Sequence, residues 1–217
     1  MSKYGVTDLM LTPHYVKNSD YVCNNKDKRK LYKELCKRVK EEGIDINLYL
    51  GNEVYFCKDL LDLIKNKEIM PLNNSKYVLF EFPLNNVYKD AIVVISELIS
   101  KGYVPIMAHP ERYKLFQRHP ELAADYVRMG VLLQGNIPSL FGKYGKAAKK
   151  VMDYYIKNGW IAFLGSDTHH VYKGVTEKRL RRILHKINKD DNYIERIIST
   201  NFDKVINNEN MEIKRFY

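Results

Sequence analysis

The chain has 217 residues, with 36 Lys and Arg against 26 Asp and Glu for a formal charge of +10. Apolar residues make up 45% and aromatic residues 12%, enough for a packed core, which excludes a disordered chain, and the length suits one domain. Cys23, Cys36 and Cys57 form no C-x-x-C pair, which argues against a secreted disulfide framework and for a reducing cytoplasm; the apolar runs fall short of about 18 residues, which excludes a membrane helix.

Short β-branched or aromatic runs alternate with longer amphipathic stretches. A strand over 6–11 precedes a helix over 27–42 stopped at Gly43, and a strand over 46–50 precedes a helix over 60–65. Strands over 77–82, 104–108 and 131–134 precede helices over 89–100, 120–129 and 146–158, which stop at Gly102, Gly130 and Gly159; a strand over 161–164 precedes a helix over 177–187. Consecutive βα units require helical crossovers between parallel strands, so the class is α/β. Tyr77-Val-Leu-Phe and Ile161-Ala-Phe-Leu are apolar at every position, as in strands buried on both faces. The charge invites nucleic acid as a partner. However, the basic runs 26–40 and 178–189 carry apolar residues at helical spacing, namely Leu31, Leu35 and Val39 in the first and Leu180, Leu184 and Ile187 in the second. They therefore read as solvated helix faces with a buried inner stripe, and no nucleic-acid partner is expected.

Each strand ends in a residue fit for metal binding or catalysis. These are His14, Glu53, Glu81, His109, Asn136, and the pair Asp167 and His169. In a parallel barrel or open sheet the carboxyl ends share one face, so residues distant in sequence converge there. A mixed imidazole and carboxylate set suits Zn, Mn or Fe, and six ligands exceed one tetrahedral centre. Taken singly, each has a structural explanation: His14 as a cap, His109 as a satisfied buried histidine, Glu53 or Glu81 as a lysine partner. The joint pattern carries the argument. Arg112, just past His109, offers a guanidinium fork to an anionic substrate, or else a salt bridge to Glu111. His119 and His185 read as surface residues, and His170 as a neighbour of a ligand.

In order, Thr-Pro-His14, Gly-Asn-Glu53-Val-Tyr-Phe, Phe-Glu81-Phe, Ala-His109-Pro-Glu-Arg112-Tyr, Gln134-Gly-Asn-Ile-Pro-Ser-Leu-Phe-Gly-Lys-Tyr-Gly and Gly-Ser-Asp167-Thr-His169 resemble the polymerase and histidinol phosphatase (PHP) superfamily. The match is to the manganese-dependent tyrosine-protein phosphatases of bacterial capsular and exopolysaccharide loci. The resemblance implies a distorted TIM-like (β/α)7 barrel of the PHP type with metal ligands at His14, Glu53, Glu81, His109, Asp167 and His169. It implies two or three ions, Mn2+ with Fe or Zn as alternatives, and Arg112 in a catalytic role. It also implies hydrolysis of phosphotyrosine on a bacterial tyrosine kinase that controls polysaccharide export. Such proteins open with a strand ending in Asp-x-His-x-His, which this sequence lacks. The expectation is thus a single domain over 1–217, N-terminally incomplete, with six βα units. A family arginine after the Asp-x-His is also missing, with Lys173 as a substitute point charge. The other readings open are a histidinol-phosphate or other small-molecule phosphatase, and an inactive shortened chain that binds anionic partners.

Overall fold

Strand and helix alternate along the chain as the hydrophobic pattern requires, in a computed structural model that describes residues 1–20, 24–169 and 174–211. The strands are β1 (Asp8–Leu11), β2 (His14–Tyr15), β3 (Asn47–Leu50), β4 (Glu53–Tyr55), β5 (Tyr77–Glu81), β6 (Val104–Ala108), β7 (Leu132–Asn136) and β8 (Ile161–Gly165). Between them lie α1 (Asn25–Glu41), α2 (Leu60–Lys65), α3 (Ala91–Ser100), α4 (Lys114–Arg118), α5 (Ala123–Met129), α6 (Ile137–Leu140) and α7 (Gly145–Lys157). After β8 come α8 (Glu177–Ile187), α9 (Asp191–Glu195), a π-helical turn (Arg196–Thr200) and α10 (Asn201–Ile206).

Every strand pairing is parallel, in the orders β1-β3 and β2-β4-β5-β6-β7-β8. The two ladders are one sheet briefly interrupted. Pro13, which has no N–H to donate, and Gly51 separate β1 from β2 and β3 from β4, yet Gly51 N–H still donates to Leu11 O at 2.9 Å and Glu53 N–H to Pro13 O at 3.3 Å. Gly51 is required by close approach: a Cβ there would lie 3.0 Å from Leu72 Cα and 2.7 Å from its Cδ2. Gly51→Ala is therefore expected to cost about 1–3 kcal/mol by overpacking, read as a lower Tm; an unchanged melting curve would show that the strand and Leu72 can part.

Alternation along the strands divides the core. Val78 and Phe80 of β5, Met107 of β6, Leu133 of β7 and Ile161 of β8 face the helices, where they pack with Leu60, Ile95, Leu98, Phe116, Met152 and Ile156. Tyr77, Leu79, Ile106, Ala108, Leu132 and Ala162 form a smaller inner cluster with Leu72 and Val205. The sheet curls without closing among the described residues. β1 bonds to β3 alone, β8 to β7 alone, and a cavity of about 1080 Å³ is lined by both edges.

Two sequence readings need correction. α1 does not bury its apolar stripe: Leu31 is 61% and Leu35 40% exposed, and both line the cavity between the two sheet edges, since no described element covers that face. In α8 the corresponding Leu180 and Leu184 are buried, as expected. The stretch 120–129 is not one helix. Pro120–Leu122 makes a 3-10 turn before α5, and α4 stands in the preceding segment, which the pattern left as a connection. No helix among the described residues is long and apolar enough to cross a membrane.

Candidate metal centre and active site

The inward phase of the strands carries polar groups to the carboxyl-terminal mouth. On β5 it runs Tyr77, Leu79, Glu81; on β2 and β4, His14 and Glu53 are register partners. His109 follows the last residue of β6. Its Nε2 lies 3.2 Å from Glu53 Oε1 and 3.2 Å from Glu81 Oε2, while His14 Nδ1 lies 3.1 Å from Glu81 Oε1 and 3.9 Å from Glu53 Oε2. Glu53, Glu81 and His109 each present one ligand atom within 4.8 Å of the other two.

Two carboxylates and two imidazoles so close are electrostatically linked. Burial works to raise the Glu81 pKa, but hydrogen bonds from His109 and His14 hold it down at about 2. Burial likewise opposes the charged form of His109, but Glu53 and Glu81 lift its pKa to about 10, and His14 is raised chiefly by Glu81. The cluster draws positive charge toward its centre. The side-chain nitrogen His109 Nδ1 is buried and makes no hydrogen bond. This donor set, two carboxylates and two imidazoles brought together at one point, fits a divalent transition-metal ion.

A second group sits beside it. Asp167, in a left-handed conformation at φ 45°, accepts from Arg112 Nη1, from Asn136 Nδ2 at 2.8 Å and from Tyr144 Oη at 3.4 Å through Oδ2, while His169 Nε2 is 3.1 Å from Oδ1. Burial works to raise the Asp167 pKa; His109, Arg112 and His169 outweigh it and hold the carboxyl below its ordinary range. The rings of His14 and His169 stack at 5.3 Å and 11°, joining the two groups. His169 is the most exposed of the six proposed ligands whose side chains approach one another, 58% for its side chain. His14, Glu53, His109, Asp167 and His169 all line the cavity.

Local structure explains the placement. His109 is left-handed (φ 35°, ψ 51°) just before Pro110, a backbone state costing about 1–3 kcal/mol that persists only where the surroundings enforce it. The enforcement comes from its N–H, bonded to Gln134 O at 2.7 Å, and from Tyr113 Oη, which donates to Ala108 O at 2.7 Å and accepts from Phe82 N–H at 3.0 Å. Glu111, fully buried, does not pair with Arg112 as the alternative reading held. Its Oε1 accepts from Ser139 Oγ at 2.6 Å and from Asn136 N–H at 3.0 Å, and burial raises its pKa. Arg112 is thereby left to face Asp167, with its guanidinium 4.3 Å above the Tyr144 ring. Tyr144 and the buried role of Glu111 escaped sequence reasoning. The one signal was their presence inside the ordered motifs. His119 and His185 are exposed, as expected. His170, Lys173 and Cys23 lie outside the described residues.

The chain is similar to known proteins in sequence and in fold. The family described as capsular polysaccharide synthesis, CpsB/CapC, matches residues 1–207. A putative tyrosine-protein phosphatase CapC of Staphylococcus aureus is 34% identical over 167 residues, covering 77% of this chain and 65% of that protein. Tyrosine-protein phosphatase YwqE of Bacillus subtilis (strain 168) is 30% identical over 169 residues, covering 78% and 66%. The chain thus spans just under two thirds of the length of these curated relatives. Among solved structures, one from a study of B. subtilis YwqE and Streptococcus pneumoniae CpsB, described as unique metal-dependent tyrosine phosphatases, superposes with a TM-score of 0.88 at 25% identity, covering 98% of this chain and 85% of that one. The open parallel sheet is therefore the PHP-type fold, and the chain belongs to the CpsB/CapC family of capsular polysaccharide synthesis.

Proposed function

We propose that this chain is a metal-dependent protein-tyrosine phosphatase, manganese its ion, that acts in the cytoplasm on a phosphotyrosine-bearing bacterial kinase of capsule or exopolysaccharide synthesis. One observation carries the reading: Glu53, Glu81 and His109 converge on a point at the same mouth as the Arg112 guanidinium. The names of the relatives support it. In this reading His14, Glu53, Glu81, His109, Asp167 and His169 hold the cations, which when bound supply Lewis-acid activation of water and neutralise phosphoryl charge.

The chain's own groups do the rest. Arg112 clamps the phosphoryl oxygens through its planar fork, and Asn136 and Tyr144 orient Asp167. The excess of lysine and arginine draws in anionic, phosphate-bearing segments. The domain reading also stands as part of the proposal: one PHP-type domain, with the seam between β1 and β8 suited to a further parallel strand.

The test is hydrolysis of a phosphotyrosyl peptide with Mn2+, against a phosphoseryl peptide and histidinol phosphate. Chelation should abolish turnover, and Asp167→Ala should lower it more than about tenfold. Full activity of that variant, or turnover after exhaustive chelation, would refute the site; preference for histidinol phosphate would replace the substrate.

A further inference from the structure

Asp167 Oδ2 accepts from three side chains, Arg112, Asn136 and Tyr144. A carboxylate oxygen has lone-pair room for about two. Arg112 therefore shares its acid with two competitors, and any cation drawing on Asp167 adds another. A different contact fixes the guanidinium without using that oxygen: its Cζ lies 4.3 Å from the centroid of the Tyr144 ring. A guanidinium seated over a ring in this way keeps N–H groups of its fork free for two oxygens of a tetrahedral phosphoryl group. The ring is half-buried. Tyr144 immediately precedes α7, whose Ala148, Met152 and Tyr155 are fully buried, and Lys143 Nζ lies 5.9 Å over the same ring.

We propose that Tyr144 is a positioning residue for Arg112: its ring keeps the guanidinium at the mouth with its edge toward the phosphoryl group whatever Asp167 is bound to. The inference rests on the phosphatase reading for its substrate, and on the ring contact for its geometry.

The test measures inorganic phosphate binding to the Mn2+-loaded chain by calorimetry, together with KM and kcat for p-nitrophenyl phosphate. Tyr144→Leu should weaken phosphate binding and raise KM by about tenfold, within the range of a partly desolvated cation–π contact, with kcat changed less than about threefold. Tyr144→Phe, which keeps the ring and loses the hydroxyl, should restore most of the affinity. In an Arg112→Ala background Tyr144→Leu should have no further effect on either quantity. Equal phosphate affinity of the wild type and Tyr144→Leu would overturn the proposal. So would an undiminished effect of Tyr144→Leu in the Arg112→Ala background, which would make the ring a packing element. A wild type that binds phosphate but hydrolyses no phosphoester would sink the phosphatase reading and leave the affinity series to decide Tyr144; a wild type that binds no phosphate would overturn the positioning role as well.

Discussion

Glu81→Gln is expected to lower Mn2+-dependent hydrolysis by on the order of 100-fold or more, since even groups that merely orient ligands are worth about 10- to 100-fold. Glu81 contacts both His14 and His109, and its carboxyl is held at about 2, so it is charged across the working range. The amide keeps the shape and one acceptor oxygen but removes the charge, while Phe80 and Phe82, buried on either side, hold the strand in place. Loss of activity should therefore come without loss of fold. A thermodynamic readout accompanies it. An ion that binds only the native state stabilises it by about 2.7 kcal/mol at a hundredfold excess over Kd. Mn2+ should thus raise the Tm of the wild type and leave Glu81→Gln almost unmoved. A variant that still gains stability from Mn2+ and still turns over substrate would take Glu81 out of the centre.

Arg112→Lys should be nearly as damaging, with kcat/KM lower by on the order of 100-fold, the scale of one lost transition-state donor. Charge is conserved in this change. What disappears is the rigid planar fork and its seat over the Tyr144 ring. Lysine can still pair with Asp167, so the loop after β6 should keep its shape and the protein its Tm. The informative comparison is with Arg112→Ala: if lysine restores most of the rate, a point charge suffices and the bidentate clamp is wrong.

The alternation of strands and helices was legible because hydrophobic period depends on backbone geometry alone, and the strand ends gave His14, Glu53, Glu81, His109 and Asp167 because parallel topology sends them to one face. The facing of buried strands was not legible. In Tyr77-Val-Leu-Phe every residue is apolar, so nothing local says that Tyr77 and Leu79 point inward and Val78 and Phe80 outward; only Glu81 marks the phase. The stripe of α1 failed for a different reason. Its period correctly identifies a sticky face at Leu31 and Leu35 but contains no information on whether anything packs against it. At alternate positions past β8, Asp167 and His169 read as two ligands aimed at one site. The left-handed turn at Asp167, which one sequence does not reveal, keeps His169 beside Asp167 but exposed and stacked on His14. Tyr144 belongs to a separate βα unit from Arg112, and such long-range pairings have no signature in one sequence.

Glu111 gives the loops after β6 and β7 a common hub. Two residues before it stands His109, which faces the acids, and next after it Arg112, which faces Asp167, while its own carboxylate is fastened to the Asn136 N–H and the Ser139 hydroxyl across the rim. The imidazole side and the anion-gripping side of the mouth are consequently geared together, like two jaws on one pivot. Damage to either loop disturbs both jaws, so penalties from paired lesions at Glu111 and Ser139 will overlap rather than sum.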